Sequence, residues 1–148
     1  MRRISFDPRF VNAAGTDLIS GKIHTIRQNF DYWKRFEGKE AALFTWEGKP
    51  RQKGSKQKVF CVKRIVSVQE IHLKTYLVPV NQMKYPEREG VVRNTEVLGF
   101  FIGEHRIPNK LLAERDGFSS GNDFLRWFYA GNYKPGKMAI IHFTDFRY

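Results

Sequence analysis

Ser20-Gly21-Lys22-Ile23-His24-Thr25-Ile26-Arg27 is the stretch on which the reading of this chain turns. Ser20-Gly21 signals a turn, and Ile23–Arg27 reads as a strand. Period-two alternation puts Thr25 and Arg27 on one strand face, and the turn delivers Lys22 to the mouth of that strand. An amine, a hydroxyl and a guanidinium thereby come close together. A lysine desolvated beside an arginine has a lowered pKa and can act as base toward a hydroxyl. The same spacing also fits a Thr25 that merely packs, with both cations in solvent.

Working upstream, Arg3–Phe6 reads as a short strand. Asp7 can cap a following helix with Pro8 at its first position, and Phe10, Ala14 and Leu18 share one face before Ser20-Gly21 ends it. Downstream, Ala41–Trp46, Lys58–Val68, His72–Val80, Glu96–Ile102 and Met138–Phe146 have the composition of strands. Glu47-Gly48-Lys49-Pro50 breaks the first of these, Gly54-Ser55 marks a loop, and Asn81–Gly90 reads as another. Two helices come before the last strand. Pro108 starts one, with Leu111 and Leu112 inward and Gly117 as terminator. Ser120 caps the next, with Asp123 completing a capping box, a buried stripe of Phe124, Leu125, Trp127 and Phe128, and Gly131 as stop.

The sum is an α+β chain: a small, partly closed β-barrel of six or seven strands flanked by short helices. Absence of regular βαβ alternation and of a phosphate-loop glycine pattern argues against a doubly wound nucleotide fold.

A length of 148 residues suits one domain spanning 1–148. Lys and Arg outnumber Asp and Glu 26 to 15, for a net charge of +11. The excess is uneven: residues 1–74 carry 16 basic and 7 acidic side chains, residues 75–148 only 10 and 8. Such a field favours polyanions, so RNA or a nucleoside derived from it is the expected partner. Cys61, the single cysteine, leaves no intramolecular disulfide and reads as a buried thiol between alternating apolar neighbours. His24, His72, His105 and His142 have no metal-ligand spacing, so neither a metal nor another cofactor is expected. The first residues reach Asp7 and Pro8 before any apolar run, and no stretch approaches membrane-spanning length. A cytoplasmic protein with no membrane partner is the expectation.

Residues 49–58 hold Lys49, Arg51, Lys53, Lys56 and Lys58 with no acid among them. Between two strands they would form a basic hairpin tip able to clamp phosphates, or simply a solvated loop. Phe30, Tyr32, Trp33 and Phe36, interleaved with Lys34 and Arg35, offer rings for stacking or for the core.

Lys22, Thr25 and Arg27 match the Lys, Thr and Arg of a short motif, and the sequence resembles the ASCH (activating-signal-cointegrator homology) family of PUA-like β-barrels. The general pattern is G-x-K-x-x-E-x-R, with Thr in place of Glu in one branch. Leu112-Ala113-Glu114-Arg115-Asp116-Gly117-Phe118-Ser119, the helix with Phe124 and Trp127, and Ile140-Ile141-His142-Phe143 follow the family's usual order. The Thr branch includes amidohydrolases that remove the acetyl group from N4-acetylcytidine with a Lys, a Thr and a Glu. The resemblance implies catalytic roles for Lys22, Thr25 and Asp116, the last where the family has Glu, with Arg27 and His24 at the substrate. Ser20 stands where the pattern has Gly, and residues 47–58 are an addition to the compact hydrolases. Two other readings remain open: a non-catalytic RNA-binding module in which Lys22, Arg27 and the 49–58 loop hold phosphates, and a ribonuclease with Lys22 or His24 activating a 2′-hydroxyl.

Overall fold

The alternating residues after Gly21 form an edge strand. The computed structural model describes residues 1–79, 94–131 and 133–148, so the loop expected over Asn81–Gly90 lies outside the described residues. In chain order the strands are Arg2–Ser5 (β1), His24–Gln28 (β2), Glu40–Glu47 (β3), Lys56–Arg64 (β4), Ser67–Pro79 (β5), Asn94–Ile102 (β6), His105–Ile107 (β7) and Gly136–His142 (β8). The helices are Phe30–Lys34 (α1), Asn109–Arg115 (α2) and Gly121–Ala130 (α3).

The class is α+β. One sheet has the order β1-β3-β4, the other β2-β8-β5-β6-β7. Among the described residues there are eight strands where six or seven were expected, and their two sheets are not closed into a barrel. β1 runs parallel to β3, from Arg2 opposite Ala41 to Ser5 opposite Phe44. β8 lies between two antiparallel partners, with His142 opposite His24 on β2 and Ser67 on β5.

Both sheets and the helices feed one apolar cluster. Ile4 and Leu43 come from the three-stranded sheet, Ile71, Phe100 and Ile140 from the five-stranded one, and Phe124 from α3. Side chains of this kind stabilise by about 1.5–3 kcal/mol each when fully buried.

Several expectations are corrected. The helix expected after Asp7 is one 3-10 turn, Pro8–Phe10, although Asp7 does cap it by accepting the Arg9 N–H. Asn12 then accepts the N–H groups of Thr16 and Asp17, and Val11 bridges to Leu18. Short polar side chains that bond the backbone locally compete with helix formation. Phe10 and Leu18 are still both buried, because the chain doubles back, whereas Ala14 is exposed.

The expected strand Lys58–Val68 is two strands in different sheets. The chain crosses between them at Ile65-Val66, where Ile65 N–H donates to Lys39 O and Val66 N–H to His142 O. In β4, Leu43 faces Cys61 but Phe44 faces Val59, so Phe60 is an extra residue that shifts the phase of the strand. Cys61 is therefore half-buried rather than buried, and Val59 and Val62 are exposed. Ser120 caps α3 by accepting the Asp123 N–H, but the Asp123 carboxylate takes the Ser119 hydroxyl instead of closing a capping box. Leu125 and Trp127 are half-buried beside fully covered Phe124 and Phe128, and Leu111 is half-buried beside covered Leu112. The final strand ends at His142, four residues short of Phe146. α1 and β7 appear where no element was expected.

Candidate active site

Gly21 has φ +86°, a left-handed conformation, and its turn carries the chain from Ile19 into β2. The next residues are pinned to the end of α2, because Ile23 N–H donates to Arg115 O at 2.9 Å. That end is itself closed by Gly117 at φ +85° and by Phe118 N–H donating to Ala113 O. Lys22 and Asp116 are thus brought together by two backbone turns that meet.

The Lys22 side chain lies across Gly117. A Cβ on Gly117 would stand 3.1 Å from both Cβ and Cδ of Lys22, close enough to crowd the lysine stem. Lys22 Nζ donates to Asp116 Oδ1 at 2.9 Å and to Asp116 O at 2.5 Å. The ammonium therefore both pairs the carboxylate and caps a carbonyl at the end of α2. Lys22 is 6% exposed and Asp116 4%. Phe10 covers the amine, with Nζ 4.4 Å from its ring centroid.

Burial pushes the Lys22 amine below its ordinary value, Asp116 opposes that, and Arg27 and Arg9 add a smaller push downward. For Asp116, burial acts upward, but the Lys22 charge and His24 outweigh it and hold the carboxyl below the usual carboxylate range.

This pair lines a cavity of about 610 Å³, together with Thr25 and Arg27. Thr25 is buried. Arg27 donates through Nη2 to Ser5 O, which ties β2 to β1, and its Nε is buried with no hydrogen-bond partner among the described residues. Phe6, Phe10, Phe118, Trp127 and Tyr133 supply aromatic wall, and Trp46 reaches it from β3. The hairpin between β3 and β4 brings Gly48, Pro50 and Arg51 to the same cavity.

Of the residues singled out from sequence, Lys22, Thr25, Arg27, Asp116 and Arg51 line this one cavity. Lys49, Lys53, Lys56 and Lys58 do not line it, but are exposed on the same hairpin. His24 is also absent from the lining. It is 0% exposed, with Nδ1 3.4 Å from Asp116 Oδ1, within ion-pair reach but outside hydrogen-bond geometry. Its Nε2 is 2.6 Å from the Tyr148 hydroxyl. Burial pushes that hydroxyl up to about 12, so it keeps its proton at neutral pH and can donate to Nε2. His24 therefore stands behind the carboxylate, away from the cavity lining.

Behind it lies a further buried layer. The His142 ring is 5.6 Å from that of His24 at an interplanar angle of 83°, and its Nε2 is 3.1 Å from Gln69 Oε1. Gln69 Nε2 donates to Tyr148 O. Burial, then the neighbouring His24 and Arg147 charges, bring the His142 imidazole down to about 4.

Sequence reasoning missed Phe6, Trp46, Tyr133 and Tyr148 as parts of the site. Trp46 and Tyr148 follow or end segments that read as ordinary strand and tail, so no local signal marks them. The aromatic group at 30–36 goes mainly to packing: Phe30, Trp33 and Phe36 lie against the core, while Arg2 stacks on Tyr32 and Phe36.

Among the described residues, no group of three or more His, Cys, Asp or Glu converges to hold a metal ion, and no helix is long and apolar enough to cross a membrane. No family model, curated protein or solved structure matches the chain.

Proposed function

We propose that this protein is an amidohydrolase acting on N4-acylated cytidine, with Thr25 as nucleophile, Lys22 as general base and Asp116 holding the lysine. The observation that carries this reading is the buried Lys22–Asp116 pair, which shares with Thr25 the lining of an aromatic-walled cavity. It agrees with the short-motif resemblance to the Thr branch of the ASCH family, and a PUA-like origin for the two sheets belongs to the same proposal. Aspartate in place of glutamate is no obstacle, since its carboxylate is within 2.9 Å of the amine.

In the proposed reaction, Lys22 as free amine takes the Thr25 hydroxyl proton while Oγ1 attacks the acyl carbonyl carbon. The carbonyl π pair moves onto oxygen, for which the unpartnered Arg27 Nε–H is an available donor. On collapse the bond from carbon to N4 breaks, and the Lys22 ammonium returns the proton to the leaving amine. Water, deprotonated by Lys22, then attacks the Thr25 ester; the bond from carbon to Oγ1 breaks, the Lys22 ammonium returns the proton to Oγ1, and the carboxylic acid leaves. A cavity of this size suits one nucleoside, and planar bases stack on rings such as those of its walls.

The basic hairpin favours a second reading, a non-catalytic RNA-binding module. Five exposed cations there are more than a free nucleoside needs. For a ribonuclease, buried His24 is poorly situated to reach a 2′-hydroxyl, which leaves Lys22 alone as base.

The deciding experiment incubates N4-acetylcytidine with the protein and with Thr25→Val, a shape-conserving change that removes the hydroxyl. Cytidine released by wild type alone supports the hydrolase. No release from either supports the binding module, and equal release from both removes Thr25 as nucleophile.

A further inference from the structure

We propose that the cavity selects nucleotides over nucleosides, base inward, with the sugar-borne phosphate held at the rim by Arg9 and Arg51. This rests on the base-in-cavity reading above and adds which ligands the cavity prefers. Of the buried cations in the lining, Lys22 is satisfied by Asp116, and Arg27 gives Nη2 to Ser5 O and keeps its unpartnered Nε–H for a single neutral oxygen rather than a two-bond grip on phosphate. A dianion buried there would also lose its hydration against an already neutralised pair. Apolar rings and a paired lysine suit a base, and the exposed cations suited to a phosphate are Arg51, in the lining, and Arg9, outside the lining but stacked on its rings.

These two guanidinium groups come from different parts of the chain. Arg9, just after β1, has its guanidinium carbon 4.8, 4.9 and 4.6 Å from the ring centroids of Phe10, Phe118 and Trp127, all three of which line the cavity. A guanidinium stacked on rings keeps its in-plane N–H donors available, the geometry that grips phosphate through two bonds. Arg51 lines the cavity from the β3–β4 hairpin with φ +60°, a left-handed backbone unusual for a residue other than glycine. Among the described residues neither side chain forms an ion pair with an acid. Asp7 is the one exposed carboxylate in the lining, and it accepts the Arg9 backbone N–H. Lys49 and Lys53, exposed on the same hairpin, add to the field.

The phosphate could belong to a free mononucleotide or to a strand, and titration separates the two. Cytidine, cytidine 5′- and 3′-monophosphate and a short cytidine-containing trinucleotide would be titrated into wild type and into Arg9→Gln/Arg51→Gln at low salt. At least one phosphorylated ligand is expected to bind about tenfold or more tightly than cytidine. In the variant that advantage should collapse, with cytidine affinity unchanged. Tight binding of the trinucleotide alone identifies an internal phosphodiester; tight binding of a monophosphate identifies a free nucleotide. Equal affinity for all ligands, or a preference that survives in the variant, overturns the proposal, as does ribose 5-phosphate binding as well as the nucleotide. Binding needs no turnover, so failure of the hydrolase reading, seen as absence of cytidine release, is read separately.

Discussion

Lys22 Nζ lies 2.9 Å from Asp116 Oδ1, joining residues 94 positions apart in sequence in a site that water barely reaches. A charge in such a place is tolerated only with its partner. Removing one member leaves the other buried and uncompensated, at a cost of roughly 3–5 kcal/mol, whereas replacing both with neutral groups of similar shape is far milder. Lys22→Met should therefore lower the thermal midpoint sharply, and Lys22→Met/Asp116→Asn should recover most of it with no recovery of turnover. A double variant as unstable as the single one would show that the pair does not account for the loss.

Gly117→Ala tests how Lys22 is aimed. The added Cβ meets the lysine stem at 3.1 Å and Ile19 Cδ1 at 3.2 Å, from a left-handed backbone that costs alanine about 1–2 kcal/mol. Stability should fall by that order, and hydrolysis should fall further than a stability loss of this size accounts for in a still-folded sample. Unchanged turnover would mean that the stem has room to move.

His142 makes stability depend on pH with a definite sign. Its folded imidazole titrates at about 4 against an ordinary 6.5, so below 6.5 the unfolded chain binds the extra proton. Stability should fall as pH drops from about 6.5 toward 4, and this contribution stops changing below that. Thermal melts of wild type and His142→Gln across this window check it; the variant should show the flatter curve.

Tyr148→Phe removes the hydroxyl that fixes His24 behind Asp116. If His24 acts through the carboxylate, kcat should fall by about tenfold, the worth of one hydrogen bond, with KM little changed and the pH–rate profile displaced. A profile that coincides with wild type would reduce Tyr148 to a packing residue.

The sequence was legible where the physics is local. Alternation after Gly21 put Thr25 and Arg27 on one face, and both line the cavity. Pro108, Gly117, Ser120 and Gly131 bound real helices because caps and terminators act within a turn. Asp116 came from the family resemblance alone, since nothing near it in sequence points to Lys22. The stretch after Asp7 misled because helical spacing of Phe10 and Leu18 also suits a loop that folds back, and Asn12 decides between them through its side chain. The walls were illegible for a related reason: Phe6, Trp46 and Tyr133 converge only once two sheets and a helix have docked. His24 was placed among ligand contacts because a strand pattern gives a face but not a depth.

The position of β8 has a consequence for how the molecule is made. β2 stands at the edge of its sheet and, among the described residues, has β8 as its one strand partner. A chain leaving the ribosome exposes Lys22 and Thr25 long before residues 136–142 exist to pair with their strand. Until β8 slides between β2 and β5, the lysine and the threonine lack their support. A nascent chain stopped before Gly136 should neither bind nor react, so competence waits for the strand that joins β2 to the rest of its sheet.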